Sequence, residues 1–92
     1  MADVVVTDHL HRFFPSLAKG RVTVEGATAA EVVRAMDALA PGFASYVVTE
    51  RGVLRPHVNL FIAGSMVVDR QGLSDPVPPG ATVHVMQALS GG

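Results

Sequence analysis

The reactive side chains of this 92-residue sequence form no arrangement that performs catalysis. No serine stands in the strand-turn-helix setting of a nucleophile elbow, and no glycine cluster forms a phosphate-binding loop. The chain has no cysteine, which excludes disulfides, thiolate metal ligands and a catalytic thiol. The sequence therefore predicts a protein that is not itself an enzyme.

Asp8, His9 and His11 are the tightest grouping of metal-ligating residue types. Two histidines at positions i and i+2 of a strand share a face, but a zinc site needs three or four protein ligands. Nothing in the sequence brings His57 or His84 to the first group. We predict ordinary surface histidines and no metal site.

The final pair, Gly91 and Gly92, has the clearest chemical use. Glycine lacks a side chain, so the pair makes a narrow and pliable peptide. Extended from Gln87 to Gly92, the chain would reach about 20 Å, enough to thread a channel in a partner and present its terminal carboxylate there. Unstructured chain ends also carry such pairs, so the pair alone does not decide between the two interpretations.

The elements that must position this tail follow from hydrophobic periodicity. A capping box at Thr28 and Glu31 starts a helix that Pro41-Gly42 ends, and its apolar stripe comprises Val32, Val33, Met36, Leu39 and Ala40. Period-two or β-branched segments predict strands at 4–6, 21–25, 57–63, 66–68 and 81–86. An N-terminal hairpin, one main helix and further strands predict an α+β domain over 1–86, with the helix on one face of a mixed sheet. Residues 87–92 are predicted to be a flexible Gly-Gly tail.

Two large apolar residues are out of phase with their own strands. Met86 points away from the valines of the last strand, and Phe61 points away from the aliphatic residues of its strand. This placement predicts an exposed apolar patch for a partner. Scattered exposure is the alternative, because isolated apolar residues on a surface are normal.

Composition narrows the class of protein further. The formal charge is −1, hydrophobic residues make up 49% and charged residues 16%, which is typical of a globular domain rather than a disordered one. A binder that neutralises phosphates needs an excess of basic residues, so nucleic acid is not an expected partner. No segment has the roughly 20 apolar residues of a membrane span, and the N-terminus does not resemble a signal peptide. We expect a cytoplasmic protein.

The chain from Val4 to Gly92 resembles the MoaD/ThiS family of ubiquitin-like sulfur carriers. The resemblance lies in the capped helix over 28–40, the strand His57-Val58-Asn59-Leu60-Phe61-Ile62, and the ending Pro79-Gly80-Ala81-Thr82-Val83-His84-Val85-Met86 with Ala88-Leu89-Ser90-Gly91-Gly92. It implies the ubiquitin-like β-grasp fold. Met86 matches the apolar residue that closes the last strand in the family, Met66 matches a second partner-facing hydrophobe, and Gly92 matches the functional terminus. Ala63 stands where the family often has Asn before the glycine of a turn.

The resemblance also implies a mechanism. An E1-like adenylyltransferase would transfer AMP from ATP to Gly92, and a sulfur donor would then convert the acyl-adenylate to a thiocarboxylate. A sulfur-acceptor synthase would take the sulfur, in molybdopterin or cysteine biosynthesis. Leu89, Ser90 and Gly91 would form the threading tail, and the patch of Phe61, Met66 and Met86 would bind the partners. The carrier binds no cofactor itself, ATP belongs to its activating partner, and some relatives serve as the small subunit of molybdopterin synthase.

Two other functions fit the same sequence. A ubiquitin-like modifier would share the fold and the activation step, but Gly92 would be joined to lysine side chains of target proteins. A β-grasp interaction domain would bind partners without any chemistry at its terminus. Membranes are not expected partners in any of the three cases.

Overall fold

The computed structural model describes residues 1–6, Phe14 and residues 21–87. Two groups of predicted residues lie outside the described ones: the metal candidates Asp8, His9 and His11, and the tail residues Leu89, Ser90, Gly91 and Gly92. In the described part, the elements are β1 (Ala2–Val6), β2 (Arg21–Val24), α1 (Ala29–Leu39), α2 (Phe43–Val47), β3 (Val58–Ile62), β4 (Ser65–Met66) and β5 (Thr82–Gln87).

The five described strands form one mixed sheet in the order β2-β1-β5-β3-β4. β1 pairs antiparallel with β2 and parallel with β5, while β3 pairs antiparallel with both β5 and β4. The predicted hairpin pairing and the mixed α+β sheet are confirmed. β5 begins at Thr82 rather than Ala81 and continues through Gln87, so the chain leaves the described residues directly from a central strand.

One face of this sheet is buried under α1. Strict alternation turns every second side chain of a strand inward, and the inward residues are Ala2, Val4 and Val6 of β1, Val58, Leu60 and Ile62 of β3, and Val83 and Val85 of β5. The helix contributes Ala29, Val32, Val33 and Met36 to the same core. The core therefore fixes the register of β3 and β5, because a slip of one residue would expose its whole hydrophobic set.

The predicted apolar stripe of α1 was wrong at Leu39, which is 51% exposed. At 3.6 residues per turn, Met36 lies at the centre of the buried stripe, with Val33 and Ala40 to one side of it. Leu39 lies on the other side, past the edge of the stripe. Ala40 is the C-cap residue at the end of the helix. It is buried, and its backbone N–H donates to the Met36 carbonyl. Phe43 of α2 is fully buried and fills the space below.

Of the two hydrogen bonds in the predicted capping box at the start of α1, one is confirmed and the other is made with a different residue. The Thr28 hydroxyl accepts from the backbone N–H of Glu31, but the Glu31 carboxylate accepts from the N–H of Ala27 rather than that of Thr28. Two further N–H groups of the first turn, at Ala29 and Ala30, donate to carbonyls of Asp75 and Leu73. The 73–75 segment thus satisfies donors that a helix N-terminus leaves unpaired.

A side chain of α1 caps the N-terminus of the short helix α2. Asp37 is half-buried, and its Oδ1 accepts from the N–H groups of Gly42 at 3.1 Å and Ala44 at 2.9 Å. These donors are free at a helix N-terminus and favour a carboxylate. Asp37 therefore fixes the angle between the two helices.

The β3–β4 hairpin turns on Ala63 and Gly64, whose φ angles are 50° and 88°. Two consecutive residues with positive φ are what a two-residue hairpin of the primed type requires. Asn adopts this conformation more readily than Ala, which gives a physical reason for the Asn that the resembling family often has at the position of Ala63.

Asp69 organises the loop between β4 and β5. Its carboxylate accepts from the N–H groups of Gln71, Gly72 and Ser74 and from the Ser74 hydroxyl. The Ser74 hydroxyl, followed by the backbone donors, lowers the pKa of Asp69 from 3.8 to about 2. Hydrogen bonds to a charged carboxylate stabilise that form.

This lowered pKa makes stability depend on pH in a defined direction. The contribution of ionised Asp69 is fully present above about pH 4 and is lost as the pH falls toward 2. We expect Asp69→Asn to lower the melting temperature at pH 7, because one amide oxygen cannot accept four hydrogen bonds. Thermal unfolding followed from pH 7 to pH 2 should show the difference from the unmodified protein shrink toward zero. Ser74→Ala should produce a smaller effect with the same pH profile, and a difference independent of pH would contradict this assignment.

Candidate partner-binding face

The face of the sheet opposite α1 carries a continuous row of side chains. Register places Val5 of β1 beside His84 of β5, His84 beside Phe61 of β3, and Phe61 beside Met66 of β4. One row further along, Met86 is paired with Asn59. Four strands therefore contribute neighbouring residues to one open surface.

The three residues predicted for this face do lie on it. Met66 is 50% exposed and Met86 is 43% exposed, whereas Phe61 is half-buried between the strands on either side. Met66 and Phe61 are direct cross-strand partners, so their side chains are close enough to pack together. The structure thus brings the three residues together, and their role in binding a partner stays a prediction.

Val68 belongs to the same surface and was not among the predicted residues. The Val67 N–H donates to the Leu60 carbonyl at 2.8 Å, which continues the pairing of β4 past Met66. Val67 is buried, so alternation turns Val68 outward, and it is 87% exposed. Met66 and Val68 stand at positions i and i+2 of the predicted strand, and this spacing indicates that their side chains share a face. We call Phe61, Met66, Val68 and Met86 the sheet patch.

Two polar residues are cross-strand neighbours of the sheet patch. His84 is half-buried between Val5 and Phe61, and Asn59 lies opposite Met86. The Asn59 side-chain oxygen accepts from Arg70 at 3.1 Å, and the same guanidinium donates to the carbonyls of Arg55 at 2.9 Å and Val58 at 3.0 Å. Arg70 therefore holds the start of β3 and orients Asn59 at the border of the patch.

The tail begins beside the sheet patch. Gln87, the last residue of β5, is paired with Val58 at the start of β3, and Met86 immediately precedes it. Leu89, Ser90, Gly91 and Gly92 lie outside the described residues. The five residues after Gln87 have a maximum span of about 17 Å. A partner seated on the patch is thus within reach of the chain end.

Comparison with known proteins identifies the fold. No family profile matches the chain, and no curated protein matches its sequence. Among solved structures, it is similar to a chain of the Amycolatopsis orientalis BexX/CysO complex, with a TM-score of 0.86, 23% identity and full coverage of both chains. It is also similar to CysO, an antigen of Mycobacterium tuberculosis, with a TM-score of 0.83 and 21% identity over 97% of this chain and 100% of that one. The chain has the β-grasp fold. A third β-grasp neighbour is SAMP1, the small archaeal modifier protein 1 of Haloferax volcanii, with a TM-score of 0.72 and 23% identity over 99% of this chain and 98% of that one.

Within this β-grasp domain, the described residues offer little else that could act chemically. Among them, His57 and His84 included, no three His, Asp or Glu side chains cluster closely enough to hold a metal ion. The candidates Asp8, His9 and His11 lie outside the described residues, so the absence of a metal site stays a prediction. No helix of the described residues is long and apolar enough to cross a membrane.

Proposed function

We propose that this protein is a member of the MoaD/ThiS-type sulfur carriers and acts as a recyclable co-substrate through the carboxylate of Gly92. The observation that carries the proposal is the exit of the chain from β5 beside the sheet patch, followed by five residues of which the last two are Gly91 and Gly92. The similarity of the whole chain to solved structures of CysO supports it at the level of the fold.

The proposed chemistry begins with activation of a poor electrophile. A C-terminal carboxylate is ionised at neutral pH, so its oxygen must be converted to a leaving group. In an E1-like partner, a Gly92 oxygen attacks the α-phosphorus of ATP, which forms the acyl-adenylate and releases pyrophosphate. Hydrogen sulfide or an equivalent sulfur nucleophile then attacks the Gly92 carbonyl carbon. AMP leaves, and the product is a thiocarboxylate.

The carrier supplies position in this scheme, and its partners supply the catalytic groups. The sheet patch binds the partner by burying apolar side chains, and the glycine pair passes through a channel too narrow for larger residues. Leu89 is proposed to sit at the mouth of that channel, with Ser90 and Gly91 inside it. The same patch is proposed to serve the sulfur-acceptor synthase after the activating enzyme has left.

The thiocarboxylate is proposed to donate its sulfur in cysteine or molybdopterin biosynthesis. Similarity to the solved CysO structures, which have TM-scores of 0.86 and 0.83, supports the first of these. The lack of cysteine in the chain means that no thiol of its own competes for the activated carbonyl. Because activation consumes ATP, we propose the cytoplasm as its location.

Intact-mass spectrometry tests the proposal directly. The chain is incubated with ATP, its activating enzyme and sulfide, and we expect a mass shift equal to the replacement of one oxygen by sulfur. Omission of ATP is the control and should leave the mass unchanged. An unchanged mass in the complete mixture, with adenylation of a known carrier proceeding in parallel, would contradict the sulfur-carrier function.

A protein modifier is the second candidate, and the similarity to a small archaeal modifier protein favours it. Its activation step would be the same, but a lysine amine of a target would displace AMP and form an isopeptide bond to Gly92. The last tryptic site before Gly92 is Arg70, so tryptic peptides of other proteins that carry residues 71–92 on a lysine would identify this function. Their absence, together with a detectable thiocarboxylate, would exclude it.

A further inference from the structure

A groove on the helix side of the domain has no part in the proposed function. It encloses about 290 Å³, and its walls come from α1, from α2, from the turn at Arg51 and Gly52, and from the loop that Asp69 organises. This volume is at the lower end of small-molecule pockets. It fits one or two side chains of a protein partner better than a cofactor.

The floor of the groove is apolar and firmly held. Leu73 and Val33 are buried beneath it, and Ala30, Ala44 and Val48 line it half-buried. The Ala30 N–H donates to the Leu73 carbonyl at 2.9 Å, so the loop wall is fastened to the helix wall. An apolar side chain entering from a partner would meet a preformed surface.

The rim of the groove is positively charged. The structure describes four arginine side chains: Arg55 and Arg70 donate to backbone carbonyls of the chain, and Arg34 and Arg51 have no acceptor among the described residues. Both of these unpaired guanidinium groups line the groove, one on α1 and one on the turn after α2. Asp37 also lines it, but its Oδ1 is occupied by two N–H groups at the start of α2.

We propose that this groove binds a short acidic segment of a partner protein, with one apolar side chain on the floor and flanking carboxylates on Arg34 and Arg51. Two guanidinium groups above an apolar floor match that pattern in both charge and shape. An acidic segment with one apolar side chain can contact both the apolar floor and the two guanidinium groups. A basic segment would leave the guanidinium groups unmatched, and a purely polar segment would leave the apolar floor unmatched. Because the groove lies on the opposite side of the sheet from the sheet patch, both surfaces can be occupied together.

Nuclear magnetic resonance titration with defined peptides tests this proposal. The labelled full-length chain is titrated with acetylated, amidated Glu-Glu-Leu-Glu-Glu, and we expect saturable shifts of the Ala30, Ala44 and Leu73 amides. One apolar contact and two exposed ion pairs predict a Kd on the order of 1 mM, weakened by added salt. Peptides with lysine for glutamate, or serine for leucine, are the matched controls and should each bind at least tenfold more weakly.

Arginine variants test whether peptide affinity depends on the two positive charges rather than on a change in folding. The double variant Arg34→Gln/Arg51→Gln should lose at least tenfold in affinity for the glutamate peptide, while Arg34→Lys/Arg51→Lys should retain most of it. Both side chains are exposed, so neither double variant should alter the melting temperature appreciably. No shifts with the glutamate peptide, equal binding of the lysine peptide, or shifts at Phe61 and Met86 instead would each overturn the proposal. The test requires neither ATP nor Gly92, so its result is independent of the sulfur-carrier function.

Discussion

Deletion of Gly92 is expected to abolish ATP-dependent activation of the chain. The carboxylate of Gly91 would remain as the new terminus, but it would stand one residue, or about 3.5 Å, short of the α-phosphate. A misplacement of even 1 Å at a reacting centre can lower a rate about 100-fold, so we expect a loss well beyond that factor. Pyrophosphate release by the activating enzyme and the intact mass of the chain measure it.

The fold offers the control for this deletion. The buried residues of the described core run from Ala2 to Val85, so removal of Gly92 should leave the melting temperature unchanged. Gly92→Ala keeps the length of the tail and adds only a methyl group. An intermediate rate for that variant would show that length and width both matter. Normal activation of the deletion variant would contradict this prediction, because the reaction would then not depend on the position of the Gly92 carboxylate.

Met86→Glu is expected to weaken binding of both proposed partners about 100-fold. Met86 is 43% exposed in the sheet patch, and a carboxylate there would have to be desolvated in an apolar interface without a matching charge. The free chain keeps that carboxylate in water, so the free energy of unfolding should change by no more than about 0.5 kcal/mol. Calorimetric titration with the activating enzyme, and separately with the acceptor synthase, measures the effect.

Leu39→Glu is the matched control. Leu39 is similarly exposed, at 51%, but it lies on α1, away from the sheet patch. The two variants introduce the same charge at the same kind of exposed apolar position, so non-specific effects of charge should appear in both. Equal weakening by the two substitutions would argue against the sheet patch as the partner surface, as would unfolding of Met86→Glu.

The sequence predicted the placement of residues wherever a strand was long enough to show its alternation. In β5, the burial of Val83 and Val85 and the exposure of Met86 follow directly from period two. Val68 was missed because all three residues of the predicted strand over 66–68 are apolar, so the strand shows no alternation that separates outward from inward side chains. Leu39 was misplaced because hydrophobic spacing alone does not show how far a stripe extends around a helix or where the next element covers it.

The polar contacts between elements were not predictable in the same way. The hydrophobic spacing of α1 leaves Asp37 outside the apolar stripe, but its role as a cap depends on where α2 begins, four residues after α1 ends. The groove was missed for a similar reason. Arg34, Arg51 and Gln71 come from three separate segments of the sequence, and local patterns carry no information on which segments meet.

The position of β5 between two other strands has a mechanical consequence. Its backbone is hydrogen-bonded to β1 on one side and to β3 on the other, and the tail continues directly from its end. A force applied to the tail therefore acts along the strand axis and loads both ladders in shear, so their hydrogen bonds must break together. A force perpendicular to the strand axis would instead open the hydrogen-bonded pairs one after another. A chain held only by its C-terminal residues can thus be drawn toward or away from another protein without unravelling.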